Sequence, residues 1–192
     1  MKHFNDLMNE IEEFGKVNDK LYDDKSFKMR NIAKTSGQFL GILIEMTNAR
    51  RILEIGTSNG YSTLWIANSL KKVNGNVTTI EFMESKVELA EKNFNMSGLA
   101  EFINLVHGDA GEFIANCESS SFDMIFLDSD RKEYVSWWNN LKRVIAPGGI
   151  IVMDNAVSHV SELTDFIKLV EETDECKSWL FPIDSGLYII KF

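Results

Sequence analysis

Apolar residues recur at three- and four-residue steps near the start of the chain. Phe4, Leu7, Met8, Ile11 and Phe14 share one face, which predicts an amphipathic helix over residues 3–23 with an acidic outer side. Residues 23–31 form a charged stretch without periodicity. A second helix is predicted from about Thr35 to Asn48, with Phe39, Leu40, Leu43 and Ile44 inward and Thr35 or Ser36 as N-cap. From Arg51 onward the period changes. Short apolar runs alternate with helical segments: a strand at Arg51–Ile55, a helix at Tyr61–Lys72, a strand at Val77–Glu81, and a helix at Glu84–Met96 closed by Gly98. A strand at Phe102–Ala110 follows, then a short helix to Cys117, a strand at Phe122–Asp130, and a helix at Arg131–Ile145 stopped by Pro147 and a Gly148–Gly149 turn. A strand at Gly149–Asn155, a helix at Val160–Glu172 and two strands at Lys177–Pro182 and Gly186–Phe192 complete the order.

Uninterrupted apolar strands alternating with helices predict an α/β fold with a mainly parallel sheet covered on both faces. Ligands of such sheets bind at the carboxyl ends of the strands, near the switch in strand order. Gly56, Glu81, Asp109, Asp128, Asp154 and Asn155 all fall at those ends, although they are far apart in sequence.

The length of 192 residues suits one domain with a helical N-terminal extension, and no repeat or low-complexity tract divides it. No run of about 18 apolar residues predicts a membrane span, and the polar, acidic start MKHFNDLMNEIEEF does not read as a signal peptide. The two cysteines, Cys117 and Cys176, lack metal-ligand spacing and read as reduced structural thiols, which suits a cytoplasmic protein. A net charge of −9 argues against an extensive nucleic-acid surface. Lys25, Lys28, Arg30 and Lys34 are a local basic patch, read either as a solvated linker face or as a binding patch.

The stretch RILEIGTSNGYSTLWIA, Arg51–Ala67, reads as strand, tight turn and helix N-terminus. Gly56 permits the turn, Gly60 permits close backbone approach to a ligand, and the helix start offers free N–H groups to an anion. An ordinary strand–loop–helix connection has the same look. Glu81 stands where dinucleotide folds place the acid that accepts a ribose diol. The loop G-T-S-N-G lacks the G-x-G-x-x-G spacing, which favours a nucleoside ligand without a pyrophosphate. Asp128, Asp154 and Asn155 supply three hard oxygen donors, a set that suits Mg²⁺, Ca²⁺ or Mn²⁺ and not zinc. Helix capping is their alternative role. His107 and His159 read as structural, the eight methionines as core filler, and of Trp137 and Trp138 one is expected in the core and the other at a pocket or interface.

Taken together and in order, NIAKTSGQFL, ILEIGTSNGYSTLWIA, VTTIE, VHGDA, IFLDSDRKEY and APGGIIVMDN resemble the class I S-adenosylmethionine-dependent methyltransferases. Within that class they are similar to the cation-dependent O-methyltransferases that include catechol and caffeoyl-CoA O-methyltransferases. The resemblance covers about residues 31–155. It implies a Rossmann-like core at 49–192 of a seven-stranded, mainly parallel sheet, with helices of residues 1–48 covering the cofactor site. It implies that Glu54, Gly56, Ser58, Gly60 and Ser62 surround the methionine part of S-adenosylmethionine and that the Ile32 backbone approaches its carboxylate. By the same likeness Glu81 takes the ribose, Asp109 and Ala110 lie by the adenine, and Asp128, Asp154 and Asn155 bind the divalent cation, Mg²⁺ first among the candidates, with Asp128 also near the cofactor.

The implied reaction is methyl transfer to a hydroxyl of a small, catechol-like acceptor. Two features depart from the family pattern. The family often carries a lysine, proposed as general base, where this chain has Arg131, and a guanidinium stays protonated. Activation then falls to the cation, with Asp128 at its side and Arg131 as electrostatic support. The segment Ala156–Ser161 is also short, which predicts an open acceptor pocket or one completed by the N-terminal helix or a partner subunit. Two other readings remain at this point: methylation of a hydroxylated uridine in tRNA, and a cofactor-binding module without turnover. A homodimer is expected from the family likeness.

Overall fold

The computed structural model describes residues 3–192. Helix α1 (Phe4–Leu21) is followed by a 3-10 turn at Lys25–Phe27 and by α2 (Lys34–Thr47). Then come β1 (Arg51–Ile55), α3 (Tyr61–Val73), β2 (Asn76–Glu81), α4 (Glu84–Ser97), β3 (Ile103–His107) and α5 (Ala110–Asn116). The chain closes with β4 (Phe122–Leu127), α6 (Tyr134–Val144), β5 (Ile145–Met153), α7 (Val160–Glu171), β6 (Lys177–Phe181) and β7 (Leu187–Lys191). The seven strands form one sheet in the order β3-β2-β1-β4-β5-β7-β6. β1 to β5 are parallel and β7 is antiparallel to both β5 and β6, as expected of a Rossmann-like methyltransferase sheet. Strand order reverses between β1 and β4, so that junction is the switch point.

Alternation along the central strands feeds two cores. Ile52, Val77, Met124, Phe126, Ile150 and Val152 pack with Leu7, Leu40, Ile44 and Leu64 of the first three helices. Leu53, Ile55, Ile125, Leu127, Ile151 and Met153 pack with Trp138, Leu141, Leu163 and Phe166 of α6 and α7. Both faces of these strands are therefore dry, which is why their sequences read as continuous apolar runs.

Three local expectations are corrected. The Pro147–Gly149 segment does not end a helix ahead of a new strand; it lies inside β5. While β4 advances from Phe122 to Met124, β5 advances from Ile145 to Ile150, so the extra residues bulge outward. Proline, with no N–H to pair, and Gly148 at φ +78° suit that bulge. Thr35 and Ser36 do not cap α2, whose N-cap is Ala33; their hydroxyls are taken by the Asp184 carboxylate at 3.3 and 2.8 Å. The strand expected over Phe102–Ala110 ends at His107, because Asp109 leaves the sheet to cap α5 through the Glu112 N–H.

Phe126 is fully buried at the centre of the first core. Phe126→Ala is expected to lower unfolding free energy by about 3–5 kcal/mol, measured by urea denaturation.

Candidate active site

The sheet register assembles the site. Ile55 stands opposite both Ile80 and Leu127, and Leu127 opposite Met153. The parallel ladder then runs one residue beyond the strand ends: the Gly56 N–H donates to Ile80 O (3.1 Å), Asp128 N–H to Ile55 O (3.0 Å) and Asp154 N–H to Leu127 O (3.1 Å). Gly56, Glu81, Asp128 and Asp154 are thus brought side by side along one edge. Gly56 has φ +100°, and a Cβ there would overlap the Asp128 carbonyl, so glycine is what lets the loop turn beside β4. At Gly60 (φ +84°) the space that a Cβ would occupy is filled by the Phe94 ring of α4.

Beneath the loop, Glu54 is fully buried and accepts hydrogen bonds from the hydroxyls of Ser62, Thr63 and Thr79 at 2.5 to 2.7 Å. Thr57 bonds Thr79 in turn at 2.6 Å. Burial pushes the Glu54 carboxyl up to about 7, against the pull of those three hydroxyls, and the Glu81 charge adds to the rise. Glu81 accepts three backbone N–H groups, from Ser58 at 2.8 Å, Phe82 at 3.0 Å and Met83 at 2.9 Å. Oε1 accepts two of these and Oε2 one, so Oε2 retains a lone pair for a ribose hydroxyl.

The segment before α2 closes against this loop. Ser58 Oγ donates to Met29 O at 2.7 Å, and Ile32 is buried. On the far side of Glu81, His107 bonds the Phe82 carbonyl at 3.1 Å. Asp109 and Ala110 sit at the start of α5, and the Trp137 indole lies so close to Gly111 that a Cβ there would strike it. Trp138, by contrast, is buried edge-on against Phe166.

Across the switch point, Asp128, Asp154 and Asn155 come together. Asn155 adopts a left-handed conformation (φ +66°). Its amide nitrogen donates to Asp154 Oδ2 at 3.1 Å and lies 3.3 Å from Asp128 Oδ1, while its oxygen accepts from Ser158 Oγ at 3.3 Å. A half-turn of the amide exchanges these atoms and turns the oxygen toward the carboxylates. Asp154 is buried, and its Oδ1 has no hydrogen-bond partner. Burial pushes Asp154 up to about 6, with the Asp184 charge reinforcing the rise. Asp128 is pushed well above the carboxylate range by burial first, then by the charges of Asp154 and Glu54. Arg131 offsets both; its guanidinium is largely buried and its Nε donates to Glu162 at 2.9 Å. Among the described residues no cluster of three His, Cys, Asp or Glu side chains stands as a ready metal site, so the donor set is two carboxylates and one amide. An orphaned carboxylate oxygen and two neighbouring carboxyls whose charged forms are disfavoured by burial fit a hard cation.

His159 bonds Ser158 and is held below its usual pKa by burial and the nearby Arg131 cation. A cavity of about 260 Å³ lined by Arg50, Asp123 and Gly149 opens at the opposite end of the sheet and contains none of these groups. Several residues here carried no signal in the sequence. Asp184 lies in the β6–β7 hairpin yet faces both Asp154 and α2, and Thr63 and Thr79 read only as strand and helix filler. Lys86, on the first turn of α4, lies within electrostatic reach of Glu81 and Asp128.

A family model described as O-methyltransferase matches residues 4–171. A catechol O-methyltransferase of Niastella koreensis is 34% identical over 130 residues, covering 66% of this chain and 58% of that protein. A catechol O-methyltransferase of Mycobacterium tuberculosis is 32% identical over 126 residues, covering 66% and 57%. The chain thus spans under two thirds of the length of these curated relatives. The crystal structure of an O-methyltransferase from Bacillus cereus in complex with SAH superposes with a TM-score of 0.82 at 25% identity, covering 100% of this chain and 91% of that one. Among the described residues no helix is long and apolar enough to cross a membrane.

The folded state holds the Glu54 proton up to about pH 7, whereas the unfolded chain releases it near 4.5. Its contribution therefore makes wild-type stability fall as pH rises from about 4.5 through 7. Glu54→Gln lacks that component. Its stability relative to wild type is expected to improve by on the order of 3 kcal/mol between pH 4.5 and pH 8, read from denaturation midpoints at the two pH values.

Proposed function

The chain belongs to the O-methyltransferase family, and we propose that it transfers a methyl group from S-adenosylmethionine to a hydroxyl of a small, catechol-like aromatic with the help of a divalent cation, Mg²⁺ foremost. The observation that carries this reading is the Asp128–Asp154–Asn155 set, with a buried and unpartnered Asp154 oxygen, held one strand away from the glycine loop. The B. cereus relative is described in complex with SAH, which supports the choice of donor.

Each residue has a task that its surroundings suit. Glu81, fixed by three backbone N–H groups, presents the remaining lone pair of Oε2 to a ribose hydroxyl. The buried Ser62 hydroxyl and the Glu54 carboxyl line the floor near the methionine end, with Ile32 and Ser58 above. Asp109, Ala110 and the added Trp137 border the adenine side. Asp128, Asp154 and, after rotation of its amide, Asn155 would hold the cation. A divalent ion, when bound, lowers the pKa of a phenolic hydroxyl and fixes its orientation. Arg131 cannot act as a base, because its guanidinium does not give up its proton near neutral pH. It stays a fixed cation that stabilises the developing phenolate and balances two carboxylates. In-line transfer then depends on the positioning of acceptor oxygen and donor methyl. A homodimer over the exposed β6 edge, where Trp179 and Leu180 lie open, would leave the cleft free.

The test is transfer of labelled methyl from S-adenosylmethionine to a catechol panel, with and without EDTA. Labelling that EDTA abolishes and Mg²⁺ restores is expected, and Asp154→Ala should lower kcat/KM at least ~100-fold. Activity indifferent to EDTA would remove the cation from the mechanism. Arg131→Lys is expected to keep more activity than Arg131→Met; the reverse order would contradict the electrostatic role.

A further inference from the structure

Directly after Asp154 and Asn155, three successive N–H groups bond to a distant part of the chain, the tip of the β6–β7 hairpin. Ala156 N–H donates to Gly186 O at 2.9 Å, Val157 N–H to Ser185 O at 2.9 Å, and Ser158 N–H to the same Ser185 O at 3.0 Å. Gly186, at φ +89°, lies so close that a Cβ there would strike the Val157 nitrogen. Ser158 Oγ in turn donates to Asn155 Oδ1 at 3.3 Å. Asn155 is itself left-handed (φ +66°), a conformation that needs support from its surroundings. The hairpin tip supplies that support.

The tip has an anchor of its own. β6 is an edge strand of the sheet, paired only with β7. Asp184, left-handed at φ +52°, ties the tip inward: its carboxylate oxygens accept Ser36 Oγ at 2.8 Å and Thr35 Oγ1 at 3.3 Å. Both hydroxyls belong to the first turn of α2, an end of a helix that favours an anion. Ser36 is buried, and α2 is fixed in turn, because Gly37 and Gly41 let Trp65 and Ser69 of α3 lie against it. A continuous run of contacts therefore leads from α3 through α2, Ser36, Asp184 and the hairpin tip to Asn155.

We propose that Asp184 is a positioning residue for the cation. By tying the β6–β7 hairpin to Ser36, it holds the Asp154–Ser158 segment where two carboxylates and the Asn155 amide can share one ion. This rests on the cation reading above and adds to it a residue that acts through others. Partners that orient a metal ligand in this way typically change metal affinity by about 10–100-fold.

The test is Mn²⁺ affinity of the S-adenosylhomocysteine-loaded chain, read by electron paramagnetic resonance below the unfolding range of every variant. Hydrogen exchange at the Ala156, Val157 and Ser158 amides is the second readout and needs no metal. Ser36→Ala breaks the tie from the α2 side. Asp184→Gly breaks it from the hairpin side without straining the left-handed backbone. Each is expected to weaken Mn²⁺ binding about tenfold and to speed exchange at those amides. The double variant should bind no more weakly than Asp184→Gly alone, because both changes remove one contact. Asp184→Asn keeps an acceptor oxygen for Ser36 and suits the left-handed backbone, so it should bind closer to wild type than Asp184→Gly. Tyr188→Phe breaks the Tyr188 Oη–Ser178 Oγ bond (2.7 Å) elsewhere in the hairpin; it should lower the unfolding midpoint and leave Mn²⁺ affinity unchanged. Wild-type Mn²⁺ affinity or unchanged amide exchange in Ser36→Ala and Asp184→Gly would overturn the proposal and leave the cation reading standing. An equal loss in Tyr188→Phe would also overturn it. So would Asp184→Asn binding as weakly as Asp184→Gly, which would assign the effect to the Asp184 charge acting on Asp154. Manganese that stays free in the wild type would refute the cation reading and the positioning role together.

Discussion

The parallel register that places Ile55 opposite both Ile80 and Leu127 is the constraint on which the rest of the cleft depends. Because the ladder continues one residue past the strand ends, the first polar residue after each strand lands beside its neighbour. A one-residue slip would exchange the two faces of a strand and break both cores at once. The burial of Ile52 on one side and Leu53 on the other therefore fixes the positions of Gly56, Glu81 and Asp128. Hydrophobic packing sets the geometry of the polar edge.

That edge is electrostatically strained in the protein alone. Glu54, Asp128 and Asp154 are each pushed toward the protonated form, by burial above all. Asp128 and Asp154 have Arg131 as partial compensation. Asn155 offers an N–H to both carboxylates, and Asp154 still keeps one oxygen unpaired. A buried acceptor without a partner costs about 1–3 kcal/mol. By contrast, the Glu54 network beneath is satisfied by three hydroxyls and rigidifies the loop from below.

Much of this was legible along the chain, because periodicity and strand-end polarity are local. The unbroken apolar runs of β1, β4 and β5 announced a sheet buried on both faces, and Glu81, Asp128 and Asp154 stood out as polar residues closing those runs. Where the sequence misled, tertiary partners had overridden local preference. Thr35 and Ser36 look like helix caps, but Asp184, from the other end of the chain, takes their hydroxyls. Pro147–Gly149 looks like a helix stop and turn, yet sheet pairing absorbs it as a bulge. At Gly60 the fold adds a packing demand that the sequence does not show, because the Phe94 ring fills the space of a Cβ. Asp184 and Lys86 carry no signal in the sequence, since only the folded hairpin and the start of α4 bring them to the cleft, and only the fold decides that Trp138 is the core member of the tryptophan pair.

The proposed donor set of two carboxylates and an amide at the ends of β4 and β5 is the centre of the proposed mechanism, and manganese tests it directly. Electron paramagnetic resonance of Mn²⁺ titrated into the S-adenosylhomocysteine-loaded chain should show one bound ion per chain, displaced by Mg²⁺ and lost in Asp154→Ala. Manganese that stays free in the wild-type protein, or a bound ion that survives Asp154→Ala, would contradict the assignment of these oxygens to a catalytic cation.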